Sequence, residues 1–155
     1  MTPSDDDIQL VSFRVGPQEF AFDILQVERI LRHVAPAPLP KAPDFLEGVV
    51  AYDGGAVPVV DLRKRFEVEA PVGEETRLMV VDVGDHRVGV LVDEVREVLR
   101  VDSTTISAPG PMVSGLAAAY IAGIVTRLGR TIIILNARKL LSATERMALT
   151  GMGDA

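Results

Sequence analysis

Two histidines, His33 and His86, are the only imidazoles in the chain, and there is no cysteine. A hydrolytic site needs a nucleophile, a base and a group that orients the base. A metal site built on nitrogen or sulfur needs paired spacings such as CxxC or HExxH. Neither histidine stands in such a spacing: His33 falls at the edge of a linker and His86 in a hairpin turn, and both read as surface residues. The carboxylates Asp82, Asp93 and Glu94 lack a second cluster that would share a cation, and Asp93 and Glu94 read equally well as caps of a helical turn. The glycines of DGGA (Asp53 to Ala56) and PGPMVSG (Pro109 to Gly115) fit neither GxxxxGK[ST] nor GxGxxG and are read as turns. No catalytic residue, cofactor site or metal site is assigned, which leaves a non-catalytic, β-rich binding module.

The elements that would carry such a module are written twice. Sliding GVVAYDGGAVPVVDLRKRF (Gly48 to Phe66) by 75 positions lays it without a gap on GIVTRLGRTIIILNARKLL (Gly123 to Leu141), with Asp61 over Asn136. Each copy is a β-branched run, a glycine turn, a second β-branched run and a short basic segment, which is a hairpin closed by a helical turn. Asp61 and Asn136 stand where a side-chain oxygen accepts from the free N–H groups that open a helix, so both are expected N-caps. A shift of 68 lays FRVGPQEFAFDILQVERILR (Phe13 to Arg32) on VDVGDHRVGVLVDEVREVLR (Val81 to Arg100), with Gly16 on Gly84. Two copies are too few for a solenoid. They predict two small subdomains side by side, about 10–66 and 77–141, sharing apolar surface where they meet.

Composition sets the outer limits. The chain has 155 residues, is 48% hydrophobic and carries a formal charge of −6. The acidic balance and scarce aromatics argue against a nucleic-acid partner, which would need clustered cations and stacking platforms. No apolar run reaches the roughly 18 residues of a membrane span. The opening MTPSDDDI is acidic where a secretory signal is basic and then apolar, so the cytoplasm is the expected location.

Residues 1–7 read as a solvated acidic tail, followed from Leu10 by a strand with Val11, Phe13 and Val15 on one face and Ser12 and Arg14 on the other. Gly16 and Pro17 turn the chain into a returning strand through Phe20 and Phe22. Asp23 to Arg32 reads as a helical turn leading into a strand. Four prolines between Pro36 and Pro43 mark an extended surface connection, and Glu67 to Glu75 marks the join of the halves. Ser103 to Tyr120 has no counterpart and reads as a long mobile loop. Ser142-Ala-Thr-Glu145 is a capping box that opens a helix over about 143–150, with Gly151 placed to end it.

Taken in order, FRVGPQEFAFDILQVERIL, PLPKAPDFLEGVVAYDGGAVPVVDLRKRF, VGVLVDEVREVLRVD and YIAGIVTRLGRTIIILNARKLL resemble the CheW-like coupling proteins of bacterial chemotaxis. The resemblance spans about Leu10 to Leu141 and continues weakly into SATERMAL, and residues 8–155 are expected to form a single domain. It implies a pair of SH3-like, five-stranded β-barrels around a common core, and a scaffold bridging a chemoreceptor signalling tip and the regulatory domain of a chemotaxis histidine kinase. It also implies a groove between the barrels for the receptor's helical hairpin, with Val27, Arg29, Ile30 and Asp53 on the first side and Val88, Val90 and Val98 on the second. The kinase's homologous domain docks barrel to barrel. Where the family has V-Q-E-I and N-L-R-G, this chain has Val27-Glu28-Arg29-Ile30 and Ala51-Tyr52-Asp53-Gly54. An ion pair between Arg29 and Asp53 with reversed polarity is therefore expected, and with it a changed rim that suits a particular partner. The alternative reading is an accessory scaffold that binds only one of the two partners.

Overall fold

The strand that opens the chain is buried on both faces, and this dictates the architecture. The structure is a computed structural model that describes residues 7–68, 71–108 and 120–153. Strand β1 (Asp7–Val15) sends Val11, Phe13 and Val15 into one cluster and Leu10 into another. Ser12, on the Leu10 face, is also fully buried, and its hydroxyl is satisfied by the Glu97 carbonyl at 3.2 Å. The strand begins at Asp7 rather than Leu10; the rest of the expected tail lies outside the described residues.

After β1 come β2 (Gln18–Asp23), β3 (Val27–Arg32), β4 (Gly48–Tyr52), β5 (Gly55–Asp61), the short helix α1 (Leu62–Arg65), β6 (Arg77–Asp82), β7 (Arg87–Val92), β8 (Glu94–Asp102), β9 (Ile121–Arg127), β10 (Arg130–Leu135) and the helix α2 (Ala143–Gly153). They form two curled five-stranded sheets, β8-β1-β2-β10-β9 and β3-β6-β7-β5-β4.

The two shifts read from the sequence map one sheet onto the other strand by strand. Both have the order third, first, second, fifth, fourth, yet each takes its first two strands from one copy and its last three from the other. The sheets therefore cut across the segments 10–66 and 77–141. Register follows the repeat: the parallel pairing of Ile134 with Ala21 recurs as Val59 with Gly89. The bulge recurs too, at Glu28 between Val27 and Arg29 and at Arg96 between Val95 and Glu97. A parallel pair needs a crossover connection, and the exchange of strands between copies supplies it.

Three apolar clusters result. Leu10, Leu99, Val125, Ile132 and Ile134 fill the first sheet's curl, and Leu78, Val80, Val50, Val57 and Val59 fill the second's. The shared core contains Phe13, Phe22, Met79, Val88, Val90 and Leu140. Phe13 stacks on Phe22 at 5.0 Å and Phe20 on Phe66 at 5.0 Å. Burying each such side chain contributes about 1.5–3 kcal/mol.

The local expectations are met at both hairpin ends. Asp61 Oδ1 accepts from the Arg63 amide at 2.9 Å, and Asn136 Oδ1 from the Arg138 amide at 3.1 Å. Asp23 to Arg32 is a 3-10 turn, Ile24–Gln26, and then a strand. The second copy has no such turn: Glu94 enters β8 directly, so Asp93 and Glu94 cap nothing and Asp93 instead accepts from the Gly16 amide at 2.6 Å. The capping box forms, with Ser142 N donating to Glu145 Oε1 at 2.8 Å and Glu145 N to Ser142 Oγ at 3.1 Å. The helix continues through Gly151 to Gly153. Of the expected loop, Ser103–Thr105 is a 3-10 turn and Ser107 bridges Ile124. PGPMVSG lies outside the described residues.

Candidate partner-binding surface

Strands β3 and β8 are the edges of their sheets, and they display nearly the same five residues. Glu28-Arg29-Ile30-Leu31-Arg32 on β3 corresponds to Arg96-Glu97-Val98-Leu99-Arg100 on β8, with the first two charges exchanged. Ile30 is 40% exposed and Val98 54%, at equivalent positions. An edge strand offers unpaired backbone groups, and here an uncovered aliphatic side chain beside them. Val27 is half-buried against the shared core. Val88 and Val90 have no exposure at all, so the contact role expected of them is corrected: they belong to the shared core, on a strand that lies inside its sheet.

The expected ion pair is replaced by another. Asp53, at the β4–β5 turn, lies 3.8 Å from Arg87 Nη1, and among the described residues no ion pair joins it to Arg29. Arg87 Nη1 donates to Glu28 Oε2 at 3.0 Å, and its guanidinium lies 5.6 Å from the centre of the Tyr52 ring. Glu28 is held below the usual carboxylate range by hydrogen bonds from Tyr52 and Arg87, while the Tyr52 hydroxyl, donating to Glu28, is pushed up. The repeat explains why Arg29 is left out. Its counterpart Glu97 accepts from Arg130 Nη2 at 2.6 Å, and Gly55 stands where Arg130 would be.

The Glu28–Arg87 pair was missed, although the sequence carries it. The shift of 68 places Arg96 on Glu28 and Arg87 on Glu19, and in the structure Arg96 Nε faces Glu19 Oε2 at 3.9 Å. One ion-pair position is thus written twice with opposite polarity. Each bulge turns its extra residue across the neighbouring strand, Glu28 toward β7 and Arg96 toward β2.

Among the clefts of the described residues, two lie beside this surface. One, of about 440 Å³, is walled by Leu39, Val49, Val57, Pro58 and Leu149, with Asp53 and Arg87 at its rim. His86 lines it and lies 3.1 Å from Thr150 Oγ1 of α2, so this histidine meets the helix rather than open solvent alone. The other, of about 510 Å³, lies along the seam between the edges β3 and β4 and is lined by Leu31, Val34, Ala37, Val50 and Leu78. Beneath the surface Arg63 pairs with Asp61 at 2.9 Å and Asp93 at 3.6 Å. The Asp61 hydrogen bonds raise its pKa against the cost of burial. Among the described residues no cluster of three or more metal-ligating side chains occurs.

Paired curled sheets with uncovered aliphatic edges and charged rims define an interaction module. The chain belongs to the CheW-like domain family, whose model matches residues 9–145. It is 29% identical to the chemotaxis protein CheW of Treponema pallidum, over 98% of this chain and 92% of that one. It is 32% identical to CheW of Klebsiella aerogenes, covering 91% and 85%, and 34% identical to protein FrzA of Myxococcus xanthus, covering 88% and 87%. The crystal structure of the scaffolding protein TtCheW from Thermoanaerobacter tengcongensis superposes with a TM-score of 0.76 at 28% identity, over 86% of this chain and 97% of that one.

Proposed function

We propose that this protein is a non-catalytic cytoplasmic adaptor that couples a chemoreceptor signalling tip to the regulatory domain of a chemotaxis-type histidine kinase. The observation that carries this reading is the family match over residues 9–145, joined to relatives named as chemotaxis proteins across nearly the whole chain. The receptor's apolar helix face meets Ile30 and Val98, with Val27 beneath and Arg29 fixing register; Asp53 acts at the rim through Arg87. Val88 and Val90 hold these residues in place. Aliphatic anchors ringed by charges suit helix recognition, in which apolar contact supplies affinity and rim charge supplies specificity. No helix among the described residues is long and apolar enough to cross a membrane.

The test is a pull-down with two baits from the same genome, the receptor tip and the kinase regulatory domain. Retention by both is expected. The double variant Ile30→Ser/Val98→Ser should lose the receptor by roughly tenfold or more, the scale of two buried aliphatic contacts, while keeping the kinase. Retention by one bait alone would turn the protein into an accessory scaffold, and retention by neither would remove the chemotaxis role.

A further inference from the structure

We infer that the cleft at the open end of the β3–β6 pair is an oxyanion site for a phosphate group. Arg32 and Arg77 stand directly opposite each other in that ladder, so their side chains leave the same face of the sheet. Like charges directly opposite one another weaken a strand pair. The repeat supplies the control: at the equivalent register of the other sheet Arg100 faces Gln9, and the repulsion is absent.

Both arginines and His33 line a cleft of about 420 Å³ whose floor is Gly73, Glu74 and Thr76. That floor is tied together, since buried Thr76 accepts from the Gly73 amide through Oγ1 at 2.9 Å. Arg77 is fixed on it: Nη1 donates to the Glu74 carbonyl at 2.8 Å and to the Thr76 carbonyl at 2.9 Å. The rest of its fork is left for a ligand. Among the described residues neither arginine has a carboxylate oxygen within salt-bridge distance, a lack shared with Arg29, Arg100 and Arg127 but not with Arg14, Arg63, Arg65, Arg87, Arg96 and Arg130.

Two guanidinium groups that leave one face of the ladder beside one cleft can each grip a tetrahedral dianion with parallel N–H donors. A phosphate between them converts a repulsive pair into a bridged one. The ligand is inorganic phosphate or a phosphomonoester, which share this chemistry.

Thermal unfolding of the full chain tests the site, with inorganic phosphate and O-phosphoserine each compared with chloride at equal ionic strength. Phosphate stabilises many proteins by exclusion from their surfaces, so the readout is the difference between wild type and the variants Arg32→Gln and Arg77→Gln. Saturating ligand should raise the wild-type Tm roughly 3 °C more than that of either variant. Without ligand, Arg32→Gln should melt at or slightly above wild type, since it relieves the repulsion. A rise with both ligands assigns the site to the phosphate group itself, and a rise with O-phosphoserine alone assigns it to an esterified phosphate. Equal rises in wild type and both variants would overturn the site.

Discussion

The two sheets are one design carried out twice, and the differences between them separate what the fold requires from what this protein has added. Strand order, parallel register and bulge position agree in both. The charges do not. The first basic turn joins Asp61, Arg63 and Asp93 in a buried cluster, whereas its counterpart has Asn136 and an exposed Arg138, and Leu25, 89% exposed, occupies the place matching Asp93. Copies of one backbone thus tolerate opposite electrostatics where solvent or a partner reaches them, and a charge cluster can be sunk into one copy alone.

The sharpest way to break the comparison is at that cluster. Arg63→Met leaves two buried carboxylates without their cation and should cost about 3–5 kcal/mol, while Arg138→Met should stay within about 1 kcal/mol. Urea unfolding of both variants measures this, and equal losses would mean that the buried cluster is no more than a surface pair.

Next come the glycines that open the two hairpins. A Cβ on Gly48 would run into the Ala37 carbonyl, and its φ of 143° suits only glycine. Gly48→Ala should therefore cost about 3 kcal/mol. At Gly123 the nearest obstacle is Ile106 Cγ2, with the Ser107 carbonyl at 3.3 Å, and φ is not in the left-handed region, so Gly123→Ala forces a side-chain shift without backbone strain and should cost about 1–2 kcal/mol. Reversal of that order in denaturant melts would contradict the backbone account.

The C-terminal helix sharpens the comparison through pH, because it is tied to the first copy's basic segment and not the second's. Glu145 accepts from Arg65 at 3.2 Å and 2.7 Å, and where Arg65 stands the second copy has buried Leu140. Burial pushes the Glu145 carboxyl up, but the Arg65 and Ser142 hydrogen bonds outweigh it and hold the pKa below the ordinary value. A depressed carboxyl contributes stability above its unfolded pKa and loses it as the pH falls through the folded one. Glu145→Gln should therefore be about 1 kcal/mol less stable near neutrality, with the gap closing under acid; a gap independent of pH would remove the charge from the explanation.

The smallest effect is expected at the hairpin tips, where Asp53 and Leu128 both have positive φ, 52° and 53°. Aspartate tolerates that conformation, whereas leucine does so poorly and is here 91% exposed. Leu128→Asn should raise stability by about 0.5 kcal/mol and Asp53→Leu lower it by a similar amount, read as opposite shifts of Tm.

The internal repeat made the hairpins and the N-caps at Asp61 and Asn136 legible, and the Ser142–Glu145 motif the capping box, since each depends on residues close together in the chain. Pairing between distant strands was not. The joins of β2 to β10 and β5 to β7 leave no mark in alternation, so the sequence suggested two consecutive subdomains where the chain exchanges strands. The candidate surface was half legible for the same reason. Ile30 and Val98 stand uncovered because their strands are edges, whereas Val88 and Val90 have the same alternation on an interior strand. Arg29 was matched to Asp53 through the family positions they occupy, without the bulge that presents Glu28 to Arg87.

The exchange of strands between copies has a further consequence, for synthesis. When the nascent chain has emerged as far as Val68 it has the five strands of one complete repeat, yet they belong to two sheets, two in one and three in the other. The second sheet has its full set only when β7 is made, and the first only when β10 is. With so many pairings between residues far apart in sequence, folding should be slow and all-or-none, and a ribosome stalled midway would hold a chain with unpaired edges and no finished half.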